Sequence, residues 1–153
     1  MRTIDIPGEG TMTLEHVVLD MNGTLTNRGE LLDGVAERLA AISADMRIHV
    51  ATADTFGAAD DLAARLGIPM TRIGTGADKE RLVARLGAER TAAIGNGRND
   101  AAMLRAARLG IAVIGPEGAA AAAVLAADVV CGDIRDALDL LLDDRVLRAT
   151  FRT

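Results

Sequence analysis

The sequence predicts an α/β protein, a parallel sheet covered by helices on both faces. Two observations predict it. Short β-branched runs alternate with helical patterns along the chain, the rhythm of repeated β-α-β units. Gly67, Gly87 and Gly110 stand where the helices between those runs need C-caps. With 153 residues, half of them hydrophobic, the chain suffices for one well-covered core and is too short for two ordinary domains, so a single domain over 1–153 is expected.

The elements follow in order. RTIDIPGEGTMTLEH, residues 2–16, reads as two short strands around a turn containing Pro and Gly, a hairpin added at the sheet edge. Strands are predicted over 17–20, 48–51, 70–73, 91–94, 111–114 and 129–131. Helical spacing links Leu32, Val35, Leu39 and Ile42, then Leu62, Ala63 and Leu66, then Leu82, Val83 and Leu86. AAMLRAARL forms a further helix. The alanine-rich stretch from Gly118, broken by Asp128 and too short to span a bilayer, reads as a buried helix leading into the last strand.

Composition narrows the function. A formal charge of −5, with 17 Lys and Arg spread along the chain, argues against nucleic acid as a partner. Two Phe and no Trp or Tyr leave no platforms for stacking bases. The single Cys131 rules out an internal disulfide, residues 1–10 lack an apolar signal core, and no stretch suits a membrane, so a reducing cytoplasm is expected.

Right-handed crossovers gather the loops that follow the strands at one edge of the sheet, where such folds bind ligands. That edge receives Asp20, Met21, Asn22, Gly23 and Thr24 after the first parallel strand and Thr52, Ala53 and Asp54 after the second. Asp78 and Lys79 join them at the third helix, and Gly95, Asn96, Gly97, Arg98, Asn99 and Asp100 after the fourth strand. The set suits phosphoryl transfer, which needs a nucleophile, a cation to offset phosphate charge and fixed donors for the phosphate oxygens. Asp20 is the candidate nucleophile, since a carboxylate can form an acyl phosphate. Thr52 and the N–H groups after it would hold phosphate at a helix N-terminus. Lys79 would neutralise charge, and Asp100 with Asn96 would offer oxygen ligands suited to Mg2+.

In the order DMNGTLT, ATADT, DKERLV, GNGRNDAAML and GIAVIGPEGA with a later AAD, nearly the whole chain resembles the haloacid dehalogenase (HAD) superfamily of phosphoaspartyl phosphatases and ATPases. Within it the chain is most similar to the phosphorylation domain of P-type ATPases and to the small soluble P-type ATPase proteins. The resemblance implies a three-layer Rossmann-like domain and Asp20 as the nucleophile. Asn22, Gly23, Thr52, Ala53 and Lys79 would hold the phosphate. Mg2+ would bind Asp20, the Asn22 backbone carbonyl, Asn96 and Asp100.

Two positions depart from the family pattern. Asn22 stands where most HAD phosphatases have a general acid–base aspartate, and an amide cannot shuttle that proton. Such groups contribute about 100- to 10,000-fold, so the phosphoenzyme should form with good leaving groups and hydrolyse slowly. Asn96 replaces a metal-binding aspartate. Asp20, Asp100 and Lys79 then sum to −1, against −3 with Asp at both positions. Each such charge is worth about 4 kcal/mol at an effective dielectric near 20, so Mg2+ should bind weakly.

The gaps from Asp20 to Thr52 and from Thr52 to Lys79 leave no room for a cap domain, so the site should be open, with TNRGELL as the one candidate flap. Neither a nucleotide-binding domain nor a membrane segment is expected, so the likeness to P-type ATPases does not extend to ion pumping. The expected partner is a phosphorylated substrate, small or macromolecular, with a homo-oligomer left open.

Other readings stand beside these. Asp20 could cap a strand end, Thr52, Asp54 and Asp100 could cap helices, and Lys79 could be a solvated first-turn lysine. His16 and His49 suit strand-flank packing better than zinc. GTG at 74–76 and GNG at 95–97 lack the third glycine of a dinucleotide site. A catalytically impaired phosphate-binding or regulatory module is the alternative function, favoured by Asn22 and Asn96. A receiver domain is a weaker one, because its nucleophile follows the third strand.

Overall fold

The computed structural model describes residues 1–53, 58–73 and 75–152. The strands are β1 (Arg2–Ile6), β2 (Gly10–Leu14), β3 (His16–Asp20), β4 (Thr26–Asn27), β5 (Glu30–Leu31), β6 (Arg47–Thr52), β7 (Met70–Arg72), β8 (Thr91–Gly95), β9 (Leu109–Val113) and β10 (Val129–Cys131). The helices are α1 (Val35–Ser43), α2 (Ala58–Leu66), α3 (Gly76–Leu86), α4 (Ala101–Ala106), α5 (Ala121–Ala126), α6 (Ile134–Leu142) and α7 (Asp144–Phe151). Six strands form one sheet in the order β10-β9-β8-β3-β6-β7, and every neighbouring pair is parallel.

The strand order fixes where a ligand can bind. From β3 the chain moves outward through β6 to β7, then returns to the other side of β3 to lay down β8, β9 and β10. The direction reverses between β3 and β8, which opens a crevice beyond their C-terminal ends, the binding position of doubly wound sheets.

Alternation along the buried strands builds two cores. Val17, Leu19, Ile48, Val50, Ile94, Ile111 and Val113 face the larger one, which α1, α2, α6, α7 and the β1–β2 hairpin cover. Val18, Ala51, Ala93 and Ala112 face the other, under α3, α4 and α5. Mostly alanine on that second face lets the helices approach the sheet closely. Asp20, two residues beyond Val18, faces the same side.

The structure corrects three details of the sequence reading. The N-terminal hairpin forms a two-stranded sheet of its own instead of extending an edge. Only Glu15 separates β2 from β3, a central strand, so the hairpin has no reach to β7 or β10. It buries Ile4, Ile6, Met12 and Leu14 in the larger core, and Arg2 Nε pairs with Asp144 at 2.8 Å on α7. Gly110 is not a helix cap, because α4 stops at Ala106 and β9 starts at Leu109. The Gly110 N–H donates to Asp128 at 2.7 Å, and a Cβ there would strike the Leu104 carbonyl. The alanine-rich helix lies on the surface: only Ala123 of α5 is buried, and Leu125 is 83% exposed.

TNRGELL forms the small antiparallel hairpin β4–β5, turned by Arg28 at φ 51° and Gly29 at φ 85°. Positive φ at both turn residues matches the twist of a tight hairpin. No helix among the described residues is long and apolar enough to cross a membrane.

Candidate active site

The crevice at the β3–β8 reversal holds a buried charge network. Asp20 ends β3 with 7% exposure. Lys79 shares one face of α3 with Leu82 and Val83, and its stem is buried among them while the ammonium rises to the sheet edge. Its Nζ donates to Asp20 Oδ1 and to Asp100 Oδ1, each at 2.6 Å. Thr75 and Asp78 close a capping box at the start of α3, which fixes the turn that carries Lys79.

The loop after β8 is shaped around Asp100. Asp100 Oδ2 accepts from the N–H groups of Asn96 at 3.0 Å and Gly97 at 2.8 Å. A Cβ on Gly95 would sit 2.6 Å from that oxygen, and one on Gly76 would sit 2.5 Å from the Asn99 carbonyl. The glycines of GNG and Gly76 of GTG thus leave room for a folded-back carboxylate and a close helix approach; Gly74 lies outside the described residues. Asp100, expected to bind metal, is fully buried with neither oxygen free of a hydrogen bond, and it anchors Lys79. Nor does its side chain cap α4.

Thr24 completes the network. Its Oγ1 lies 3.2 Å from Asp20 Oδ2 and 3.2 Å from Asn96 Oδ1, and it holds one proton to share between them. Asn96 Nδ2 donates to the Gly118 carbonyl at 3.0 Å, which turns the amide oxygen toward Thr24 and Asp20. Asn22 is exposed on the turn after β3, paired in a bridge with Thr26. Gly23, expected to help hold phosphate, donates its N–H to the Thr26 carbonyl at 3.0 Å. Thr52 is buried at the end of β6, one residue beyond the partner of Asp20, with Ala53 exposed after it. Asp54 lies outside the described residues.

The two ionisable partners shift in a linked way. Burial raises the Asp20 carboxyl to about 6, and the Asp100 charge adds to that rise while Lys79 opposes it. Burial acts to lower Lys79, but the two carboxylates outweigh it and hold the ammonium above its usual value. Two acids thus share one cation in a site with little access to water.

Asp20 Oδ2, Asn96 Oδ1 and Thr24 Oγ1 are hard oxygen donors on one side of the network, a set that suits a hydrated Mg2+ with few protein ligands. No group of three or more His, Cys, Asp or Glu among the described residues is arranged to hold a metal. His16 and His49 lie outside this network, packed together with Nδ1 and Nε2 3.1 Å apart. Cys131 is a free thiol that burial pushes up to about 11, which keeps it unreactive.

No family model matches the chain. Over 60 residues it is 57% identical to an uncharacterized protein of Methanocaldococcus jannaschii, a segment covering 39% of this chain and 64% of that protein. The chain therefore spans just under two thirds of that relative. Among solved structures, it is similar to a Legionella pneumophila protein described as a HAD superfamily (subfamily III A) hydrolase, with TM-score 0.68 and 21% identity over 91% of this chain and 87% of the other. The 3-deoxy-D-manno-octulosonate 8-phosphate phosphatase of Moraxella catarrhalis, in complex with magnesium, phosphate and its sugar, gives TM-score 0.67 and 21% identity over 91% and 94%. A zinc-transporting PIB-type ATPase in the E2.Pi state gives TM-score 0.65 and 27% identity over 79% of this chain and 20% of the pump. The chain has the fold of the HAD superfamily.

Sequence reasoning left two nearby groups without a role. Thr24 was visible as a hydroxyl in the loop of the candidate nucleophile. Glu117, in the GPEG turn after β9, was legible only as a carboxylate at the end of another parallel strand, the edge where the site lies.

Proposed function

We propose that this protein is a Mg2+-dependent HAD-type phosphohydrolase or phosphotransferase with Asp20 as its nucleophile and slow turnover. The observation that carries this reading is the Lys79 ammonium bridging Asp20 and Asp100 in the crevice where doubly wound folds bind ligands. A carboxylate oxygen of Asp20 attacks phosphorus, the bond from phosphorus to the leaving oxygen breaks, and that oxygen departs with the electron pair. Lys79 positions Asp20 and offsets charge on the phosphoryl group, while Thr52 and the Ala53 N–H bind its oxygens. Asp20, the Asn22 carbonyl and Asn96 would hold the Mg2+, whose charge would offset that of the phosphate. Thr24 holds the second oxygen of Asp20.

Asn22 gives the leaving oxygen no proton and activates no water, so substrates with good leaving groups react and the acyl phosphate persists. Incubation with acetyl phosphate and Mg2+ should add one phosphate to the intact mass. A second reading, a module that binds phosphate without turnover, draws on the small number of acids open to a metal; it predicts no adduct with any divalent cation. Asn22→Asp is expected to speed loss of the adduct by about 100-fold or more, followed by mass against time.

The pH dependence has a definite sign. Attack requires ionised Asp20, whose carboxyl is raised to about 6. Adduct formation should therefore fall about tenfold per pH unit below that value, measured by initial labelling rates between pH 4.5 and 8. A rate flat to pH 4.5 would contradict the assignment.

A further inference from the structure

The turn after β9 carries a carboxylate that this reaction leaves unused. The chain passes from Val113 through Ile114, Gly115, Pro116, Glu117 and Gly118 before reaching α5. The turn lies against the loops of Asp20 and Asn96. Gly115, at φ 53°, lies so near that an added Cβ would be 3.1 Å from the Gly23 carbonyl. The Gly118 carbonyl accepts from Asn96 Nδ2 at 3.0 Å. Glu117 Oε2 and Asn96 Nδ2 each lie 2.7 Å from the point that a Cβ on Gly23 would occupy.

Gly23 follows Asn22 directly, so its missing side chain leaves a notch beside the Asn22 carbonyl. The Asn96 amide bounds the notch on one side and the Glu117 carboxylate on the other. The Glu117 side chain is exposed, and it has no cationic partner among the described residues. Its neighbours differ: Asp20 and Asp100 share Lys79, and Asp100 has no exposed oxygen for an ion.

The geometry points to Glu117 as the second carboxylate, beside Asp20, of a divalent cation held at the Asn22 carbonyl and Asn96 Oδ1, at the rim of the Gly23 notch, in place of the acid that Asn96 lacks. This rests on the phosphoryl-transfer reading above. Mg2+ takes one or two protein carboxylates and keeps several waters. Asp20 supplies one, and Glu117 raises the formal charge of the cation's surroundings from −1 to −2. The carboxylate is on a turn tied to the site by backbone contacts, while its own side chain is free to close on the ion.

Mn2+ titrated into the full-length protein, with free ion read by electron paramagnetic resonance, tests this without relying on turnover. Glu117→Gln should weaken Mn2+ by roughly tenfold or more with unchanged thermal unfolding of the metal-free protein. Glu89→Gln, at an exposed acid preceding β8, should bind Mn2+ like the wild type. Equal affinity in Glu117→Gln and wild type, with acetyl phosphate still labelling Asp20, overturns the Glu117 assignment alone. A wild type that neither binds Mn2+ nor takes up phosphate overturns the assignment together with the reading on which it rests.

Discussion

Lys79→Met is expected to lower stability at neutral pH by about 3–5 kcal/mol, the usual result of removing one partner from a buried charge cluster. Lys79 is 1% exposed, and its Nζ is 2.6 Å from both Asp20 and Asp100. Methionine fills a similar volume, so the loss is electrostatic rather than a cavity. Two carboxylates would then face each other with no cation between them, and one must take up a proton. Asp20 is the one to do so, since burial and the Asp100 charge already raise it to about 6, and Lys79, helped by the Thr24 hydrogen bond, holds it down.

The pH dependence of that loss follows from linkage. A carboxyl whose folded value lies above its unfolded one binds protons more tightly when folded, so its contribution is greatest below the unfolded value and is lost as pH rises through the folded value. For Asp20 that window runs from the ordinary carboxylate range up to about 6 in the wild type, and it extends higher without Lys79. Urea midpoints for Lys79→Met should fall between pH 5 and pH 8, and more steeply than in the wild type. Equal midpoints at both values would show that the ammonium does not hold the two acids apart.

Most of the fold was legible because its signals are local. Apolar runs such as Val17 to Leu19 and Ala92 to Ile94 mark buried strands, and the position of Gly87 marks the end of α3. Where the prediction slipped, a non-local constraint decided. Gly110 has the spacing of a cap, but its place is set by Leu104 and Asp128, neither of them adjacent to it. The edge hairpin was ruled out by strand order, which a pattern of apolar residues does not contain.

The site divides in the same way. Loop order alone was enough to bring Asp20, Lys79 and Asp100 to one edge, because right-handed crossovers force it. Which oxygen serves which partner was not legible. Asp100 carries the same chemistry as a metal ligand, and only the fold of 95–100 back onto itself commits it to backbone donors and Lys79. Glu117 was hidden for a related reason, since its nearness to Gly23 depends on backbone contact between two glycine turns far apart in sequence.

Asp20→Asn separates chemistry from stability. The amide has no charge with which to attack phosphorus, so the phosphate adduct should vanish, a loss of roughly 10^4- to 10^6-fold in labelling rate. The fold should not suffer. The amide oxygen still accepts from Lys79, and the amide NH2, placed where Oδ2 stands, donates to Thr24, whose single proton then passes to Asn96 Oδ1. Lys79 and Asp100 remain as a neutral pair, free of the second carboxylate that burial disfavours. Above about pH 6, where the wild type must keep Asp20 ionised, the variant should be more stable by roughly 1–3 kcal/mol, read from urea midpoints at pH 8. A variant that keeps the adduct places the nucleophile elsewhere. A variant that loses both adduct and stability makes Asp20 a structural partner of Lys79, and the missing adduct then reports a damaged site rather than the missing nucleophile.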